Sequence, residues 1–510
     1  MKIYAKKTFE SLLEAVEQAN HAAEETTIFL EEGAVCHACR TLEIRAKVPV
    51  ILEGEGACLS GEGGGTGILI RSGDVTVRNF SFMHFFIGIG IEADGGDVSG
   101  VTIENCRFED VTSEGITTAV RTSDTSLEYL TVRGCTFEAP SKTRGGHCST
   151  AISLITASYE SDREPLENVA LKHVLLEGNH LSKNREDGNL FMLGITAHGA
   201  CAHTFYLEEG DMRVVSMNRV EGSLQEDLVI RGNTVDGVFD IGIDVIGGLP
   251  GRFSSVLRDV VIEENTVGYH NTAINVGSTN IPCNGDVHDC VAENIMIRRN
   301  RVFPCVPGPH EPQIGIMVFT IRAESQTICC TDCRMTNVTV EDNEITGREV
   351  GIALQAAHAT QDLPYPSRLE NILLRGVTIR NNTIRSAQLP LRFWATHLEG
   401  RYDPFWGFPL PDFDNALPFS TRCEHVLMDD VTVENNTIEY YDIALTMGAA
   451  WACGHAFVRD SVVGENMRFS GNKLDKKEKV YAYRDVIVHA QPYEDAVCTD
   501  CVVLCRGKMA

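Results

Sequence analysis

Two carboxylates four residues apart, Asp240 and Asp244, stand in the stretch Leu228 to Gly247, LVIRGNTVDGVFDIGIDVIG. Such a pair can divide acid and base work on one substrate, one group giving a proton while the other takes one or attacks. A straight extended chain would hold them roughly 13 Å apart, at about 3.3 Å per residue. That is too far for joint action, so joint action requires a bend between Asp240 and Gly242. Six further side chains fall at related places: Thr196, His198, Asn275, Gln355, Arg392 and Trp394. Hydroxyl, imidazole and amide groups hydrogen-bond to polar ligands, guanidinium pairs with anions, and indole offers a flat apolar surface.

What relates these positions is a repeat. Val101–Phe108 (VTIENCRF), Val260–Val267 (VVIEENTV), Ile295–Val302, Val338–Ile345, Val377–Ile384 and Val431–Ile438 share the pattern apolar-x-apolar-charged-x-Asn-x-apolar. The Asn falls at 179, 233, 265, 300, 343, 382, 436 and 472, and earlier units hold Phe80, Cys106 and Cys135 in its slot. The eleven units are spaced irregularly, by 26 to 54 residues, which excludes helical repeats of near-constant period. Each unit carries three short strand signals. Strands with one apolar face cannot close a core alone, but stacked in parallel about 4.8 Å apart they can. The Asn residues then bond to one another from coil to coil. An antiparallel sandwich with Asn in ordinary turns fits less well, because varied turns do not demand Asn at one fixed offset.

The third strand of each unit sets the side chains of interest in register. It runs Gly115-Ile-Thr-Thr-Ala, Ala151-Ile-Ser-Leu-Ile, Gly194-Ile-Thr-Ala-His, Gly242-Ile-Asp-Val-Ile and Ala273-Ile-Asn-Val-Gly. It continues as Gly315-Ile-Met-Val-Phe, Gly351-Ile-Ala-Leu-Gln, Pro390-Leu-Arg-Phe-Trp and Asp442-Ile-Ala-Leu-Thr. With Ile or Leu inward, alternation turns the next residue out, and also the one two further on. One outward row then reads Thr117, Ser153, Thr196, Asp244, Asn275, Met317, Ala353, Arg392, Ala444. The other reads Ala119, Ile155, His198, Ile246, Gly277, Phe319, Gln355, Trp394, Thr446. Long connections after these strands, such as 199–227, 320–337, 356–376 and 395–430, are expected to wall the face into a groove.

Residues 1–60 read as an N-terminal cap with opening strands. Thr8 caps a helix whose Phe9, Leu12, Leu13 and Val16 share one face. Residues 61–475 form the repeat body, and 476–510 cover the far end. The net charge of −27 argues against nucleic acid, and no apolar run is long enough for a bilayer. The N-terminus shows no secretory signal, so a cytoplasmic protein is expected. Lysine is absent from Asn184 to Asn472, which favours neutral over polyanionic partners. Most of the 18 cysteines read as reduced core thiols. Three Cys-x-x-Cys pairs, Cys36/Cys39, Cys330/Cys333 and Cys498/Cys501, have a spacing that can also hold zinc. No cofactor and no catalytic metal is expected.

The Asn units, the opening segment and Leu59-Ser-Gly-Glu-Gly-Gly resemble the right-handed parallel β-helix proteins of the pectin-lyase-like superfamily. The resemblance spans roughly residues 1–475. It implies an all-β, right-handed parallel β-helix of about eleven coils with a helical N-terminal cap and long loops flanking one sheet. It implies a reaction class less sharply, since the superfamily holds glycoside hydrolases, polysaccharide lyases, epimerases, esterases and phage tailspikes. The leading expectation is a glycoside hydrolase acting on an oligosaccharide or polysaccharide through Asp244 and Asp240, with Asp412 and Asp414 as other acids. A lyase or epimerase acting on a uronate glycan, with Arg392 as its cation, is the alternative. A non-catalytic glycan-binding or tailspike-like scaffold is the third.

Overall fold

The computed structural model describes all of the chain except residues 145–148, 159–164, 202, 209–210, 218, 250–251, 270, 282–284, 305–312, 325–327, 348, 363–366, 386, 402–420, 454–455, 476–480, 490–496 and 506–510. Its architecture is the right-handed parallel β-helix that the repeat predicts. Successive coils contribute strands to three long sheets, all paired in parallel, two of them thirteen-stranded. That is two coils more than the eleven units of the sequence. The extra two open the solenoid with Val35–His37 and Cys58–Ser60, and their ladder slots hold Ala34 and Ala57. Alanine fills the slot without bonding across it, so these coils carry no Asn signature.

The Asn column is continuous through the body. Each side-chain amide from Asn179 to Asn436 donates to the Asn Oδ1 of the next coil at 2.9–3.0 Å. The same nitrogen donates to a carbonyl of the coil before, and the next Oδ1 also receives the backbone N–H. Every polar atom of the column is therefore paired in a place that water does not reach. In the first coils the slot and its neighbourhood are apolar instead. Phe82, Phe108 and Phe137 stack there with centroids 5.0 and 4.7 Å apart.

The N-terminal helix α1 (Phe9–Asn20) closes the open end, with Thr8 accepting from the Ser11 N–H at its cap. It buries Phe9, Leu12, Ala15, Val16 and Ala19, while Leu13 is only partly covered. Asn20 fastens it to the first coil through the Glu43 carbonyl and the Arg45 N–H.

The connections differ most from expectation. Much of what reads as loop after the third strand is strand: Ile314–Glu324 and Ile328–Thr331, Val350–Asp362 and Ser367–Arg380, Leu389–Arg401 and Thr421–Glu434. The reason is visible in burial, because Ala357, Ala359, Leu369, Ile372 and Leu374 continue the inward alternation. The connection 199–227 carries an antiparallel hairpin, His203–Glu208 with Asp211–Met217. The connections thus lengthen the parallel sheets themselves.

The thiols lie mainly in the core. Cys330 and Cys333 bring their sulfurs to 3.5 Å without a bond, and burial pushes the Cys330 thiol up. At the other end a shared hydrogen bond holds the Cys501 thiol down and pushes that of Cys498 up. Among the described residues no group of three or more His, Cys, Asp or Glu is arranged to hold a metal ion.

Candidate active site

The third-strand register holds from Thr117 through Trp394 except at Ala119, where a shift between Thr117 and Val120 breaks the expected pairing with Ile155. Ile195, Ile243, Ile274, Ile316 and Ile352 stack inward, fully buried. Thr196, Asp244, Asn275, Met317, Ala353 and Arg392 then follow one another outward, with His198, Ile246, Gly277, Phe319, Gln355 and Trp394 beside them. The coil of Leu445–Cys453, which precedes the closing strand Tyr481–His489, is a correction. Leu391 pairs with Leu445, not Ile443, so Thr446 stacks on Arg392 and Gly448 on Trp394. Ala444 points into the core.

Three of the candidate residues converge. Asp244 Oδ2 lies 3.0 Å from His198 Nε2, diagonally across to the preceding coil. Asp244 Oδ1 accepts from Asn275 Nδ2 at 2.9 Å, directly across to the following coil. Parallel stacking without slippage is what makes this possible, since it places two polar side chains of one face within reach of a single carboxylate. All are buried, at 3 % exposure for Asp244, 6 % for His198 and 0 % for Asn275. Asn275 Oδ1 is buried with no donor among the described residues. An unpaired buried acceptor costs about 1–3 kcal/mol, so this atom is suited to take a hydroxyl from a ligand or a water.

Asp240 is placed differently. It lies inside the strand Val238–Gly248, where the one residue between Phe191 and Leu193 of the previous coil faces the two between Val238 and Ile241. That is a β-bulge. A second irregularity follows. Gly242 faces the core, where a Cβ would come within 2.5 Å of Val267, and Ile243 is also inward. The strand is therefore irregular on both sides of Ile241, between and beside the two carboxylates. No hydrogen bond joins them, however: Asp240 Oδ1 accepts from Asn271 Nδ2 at 3.2 Å instead.

The rest of the face divides into an apolar and a polar block. Ile246, Ile314, Met317, Phe319, Val350 and Ala353 form a cluster of their own, separate from the main core. Beyond it Gln355, fully buried, lies 3.3 Å from His397 through its side-chain nitrogen. Trp394 is 4 % exposed and lies over Gly448, where a Cβ would fall 2.1 Å from its ring. Phe319 lies over Gly277 in the same manner. Both rings are packing elements of the face in this state, not open platforms. Gly448→Ala should push Trp394 aside and destabilise by about 1–3 kcal/mol. Paired denaturation curves and near-ultraviolet dichroism would show it; an unchanged tryptophan signal would contradict the packing.

Sequence reasoning overlooked two features. One is a third outward column, Asn280, Arg322, His358, His397 and Trp451, carried by the strand extensions. Its His358 and His397 rings are 5.0 Å apart, and Trp451 meets His397 edge-on at 4.3 Å. The other is Glu114, which begins the strand Glu114–Val120 three coils before Asp244. Burial pushes its carboxyl above the usual range, against a hydrogen bond from Ser113. Asp412, Asp414 and the aromatic segment 402–413 lie outside the described residues.

No protein-family model matches the chain, and no curated protein matches it in sequence. Solved structures do resemble it in shape. A mannuronic acid specific polysaccharide family 6 lyase from human gut microbiota aligns at 10 % identity and TM-score 0.37, over 100 % of this chain and 92 % of that one. PfbA, a surface adhesin of Streptococcus pneumoniae, aligns at 14 % identity and TM-score 0.34, over 77 % and 89 %. A GH136 lacto-N-biosidase from Eubacterium ramulus aligns at 10 % identity and TM-score 0.32, over 96 % and 68 %. At these identities the likeness concerns the fold alone.

Proposed function

We propose that this protein is a carbohydrate-active enzyme whose chemistry is centred on Asp244. One observation carries the reading: a carboxylate, an imidazole and an amide from three successive coils meet on the outward face of the third sheet. A solenoid gains nothing structural from burying an ionisable pair there, because desolvation cancels much of the attraction. A site that moves protons does gain, and buried, mutually bonded ionisable groups are where such sites are built.

Within that class, hydrolysis of a glycosidic bond is the first reading. Asp244 serves as base or nucleophile, and Asp240, across the strand irregularity, is the second carboxylate. Thr196, Asn275 and Gln355 offer hydrogen bonds to sugar hydroxyls, while Arg392 and Trp394 line the far end. The chain's charge of −27 favours a neutral oligosaccharide or polysaccharide. Elimination or epimerisation on a uronate glycan is the second reading. It is favoured by the imidazole, rather than a second carboxylate, bonded to Asp244.

Incubation with neutral and uronate-containing glycans in heavy-oxygen water separates the two. Hydrolysis should place one heavy oxygen in a product for each bond cut. Elimination should give an unsaturated, ultraviolet-absorbing sugar without the label. If no member of a broad panel is cleaved or epimerised, the reading is wrong.

A further inference from the structure

We propose that His198 is the proton-transfer group of this site, working through its Nδ1, and that Asp244 acts on it as a positioning residue. The inference rests on the glycan-active reading and deepens it: the proton transfer assigned above to Asp244 as base passes to His198, and Asp244 becomes the group that orients and balances the ring.

The geometry distinguishes the two imidazole nitrogens. Nε2 is 3.0 Å from Asp244 Oδ2. The other carboxylate oxygen is already taken by the Asn275 amide. Asp244 is therefore held from both sides and acts as a fixed acceptor. A fixed acceptor at Nε2 keeps the hydrogen of the neutral ring on that nitrogen, leaving the lone pair on Nδ1. Among the described residues nothing hydrogen-bonds to Nδ1. His198 is also the more exposed partner, with 8 % of its side chain accessible against 4 % for Asp244. In its own column it stands between Ile155 and Ile246. Between apolar neighbours an imidazolium is costly unless a carboxylate balances it, which Asp244 does at contact distance.

In elimination Nδ1 takes the proton from the sugar carbon beside the uronate carboxylate. The C–O bond to the leaving oxygen breaks as the carbon–carbon double bond forms, and Nδ1 returns that proton to the leaving oxygen. In hydrolysis Nδ1 takes a proton from the attacking water on one face of the sugar. The glycosidic C–O bond breaks, and the carboxylic acid of Asp240 gives its proton to the leaving oxygen on the other face. The proton held by His198 then returns through water to Asp240, so both groups regain their starting states and no oxidant, reductant or cofactor is consumed.

Two measurements test this. Nitrogen NMR of histidine-labelled wild-type protein without substrate should show His198 hydrogenated at Nε2 when neutral, with the assignment made by its loss in His198→Gln. Because it needs no glycan, this result stands apart from the activity reading. On any glycan the wild type processes, His198→Gln should keep KM within a few-fold while kcat falls about 10²–10⁴-fold. His198→Ala should regain part of kcat with added imidazole, which a merely structural histidine would not show. A ring hydrogenated at Nδ1, or a His198→Gln enzyme with wild-type kcat, would overturn the proposal. A wild type inert on every glycan would instead remove the functional reading beneath it, leaving the tautomer to decide the orientation of the dyad.

Discussion

Asp244→Asn is expected to keep the fold and lose about 10²–10⁴-fold in glycan turnover. The fold should survive because the amide can be accommodated by its neighbours. Its oxygen still accepts from His198 Nε2, as Asp244 Oδ2 does at 3.0 Å. Its new N–H group would meet the Asn275 amide nitrogen, but Asn275 can rotate by half a turn. That rotation presents Asn275 Oδ1, which is otherwise unpaired, as the acceptor. The count of hydrogen bonds is preserved and the stability change should stay within about 1 kcal/mol. What disappears is the negative charge, and with it the means to act as base or nucleophile or to balance a protonated His198. Full turnover in this variant would dissociate the cluster from catalysis.

Asn343→Leu is expected to have the largest effect on stability, a loss of about 3 kcal/mol or more. Asn343 donates to the Ile297 carbonyl and to Asn382 Oδ1, and its own Oδ1 accepts from both the backbone and side-chain nitrogens of Asn300. Leucine removes all four bonds in a place that water does not reach: the Asn300 backbone N–H loses its acceptor, while Asn382 Oδ1 keeps the N–H of residue 343 and Asn300 Nδ2 keeps the Ile262 carbonyl. Each orphaned group costs about 1–3 kcal/mol, partly relieved by relaxation. Because neighbouring coils hold one another, the damage should appear as an earlier denaturation midpoint or as an uncoupled transition within the solenoid. Wild-type denaturation would mean the column is not internal.

The fold was legible because an eightfold series of Asn at one offset has a single economical explanation, a stacked column. The site was legible as far as stacking decides it. Gly-Ile or Ala-Ile at the start of most third strands fixed the phase, so the diagonal neighbourhood of His198 and Asp244 and the direct one of Asn275 could be read. Stacking says less where alternation is blind. Ile443 and Leu445 are two apart, and a slip of two keeps Thr446 on the same face, so the anchor of that coil could not be placed from pattern alone; Ala444, just before the strand Leu445–Cys453, escapes the alternation and turns inward. The bulge at Asp240 depends on local backbone, which the pattern does not encode. The third outward column was missed because its strands run through alanine-rich segments that look like connections, and Glu114 because it precedes the inward anchor of its coil. The opening coils were missed because Ala34 and Ala57 bear no mark.

The central claim is that a glycan is handled on the outward face of the third sheet at residue 244. The most direct measurement is a crystal structure of Asp244→Asn with an oligosaccharide that the wild type processes. The sugar chain is expected to lie against that face, with a hydroxyl oxygen accepting from Nδ2 of the rotated Asn275, and the scissile linkage within reach of residue 244 and His198 Nδ1. A glycan bound on either of the other two sheets, with residue 244 still sealed from it, would contradict the account.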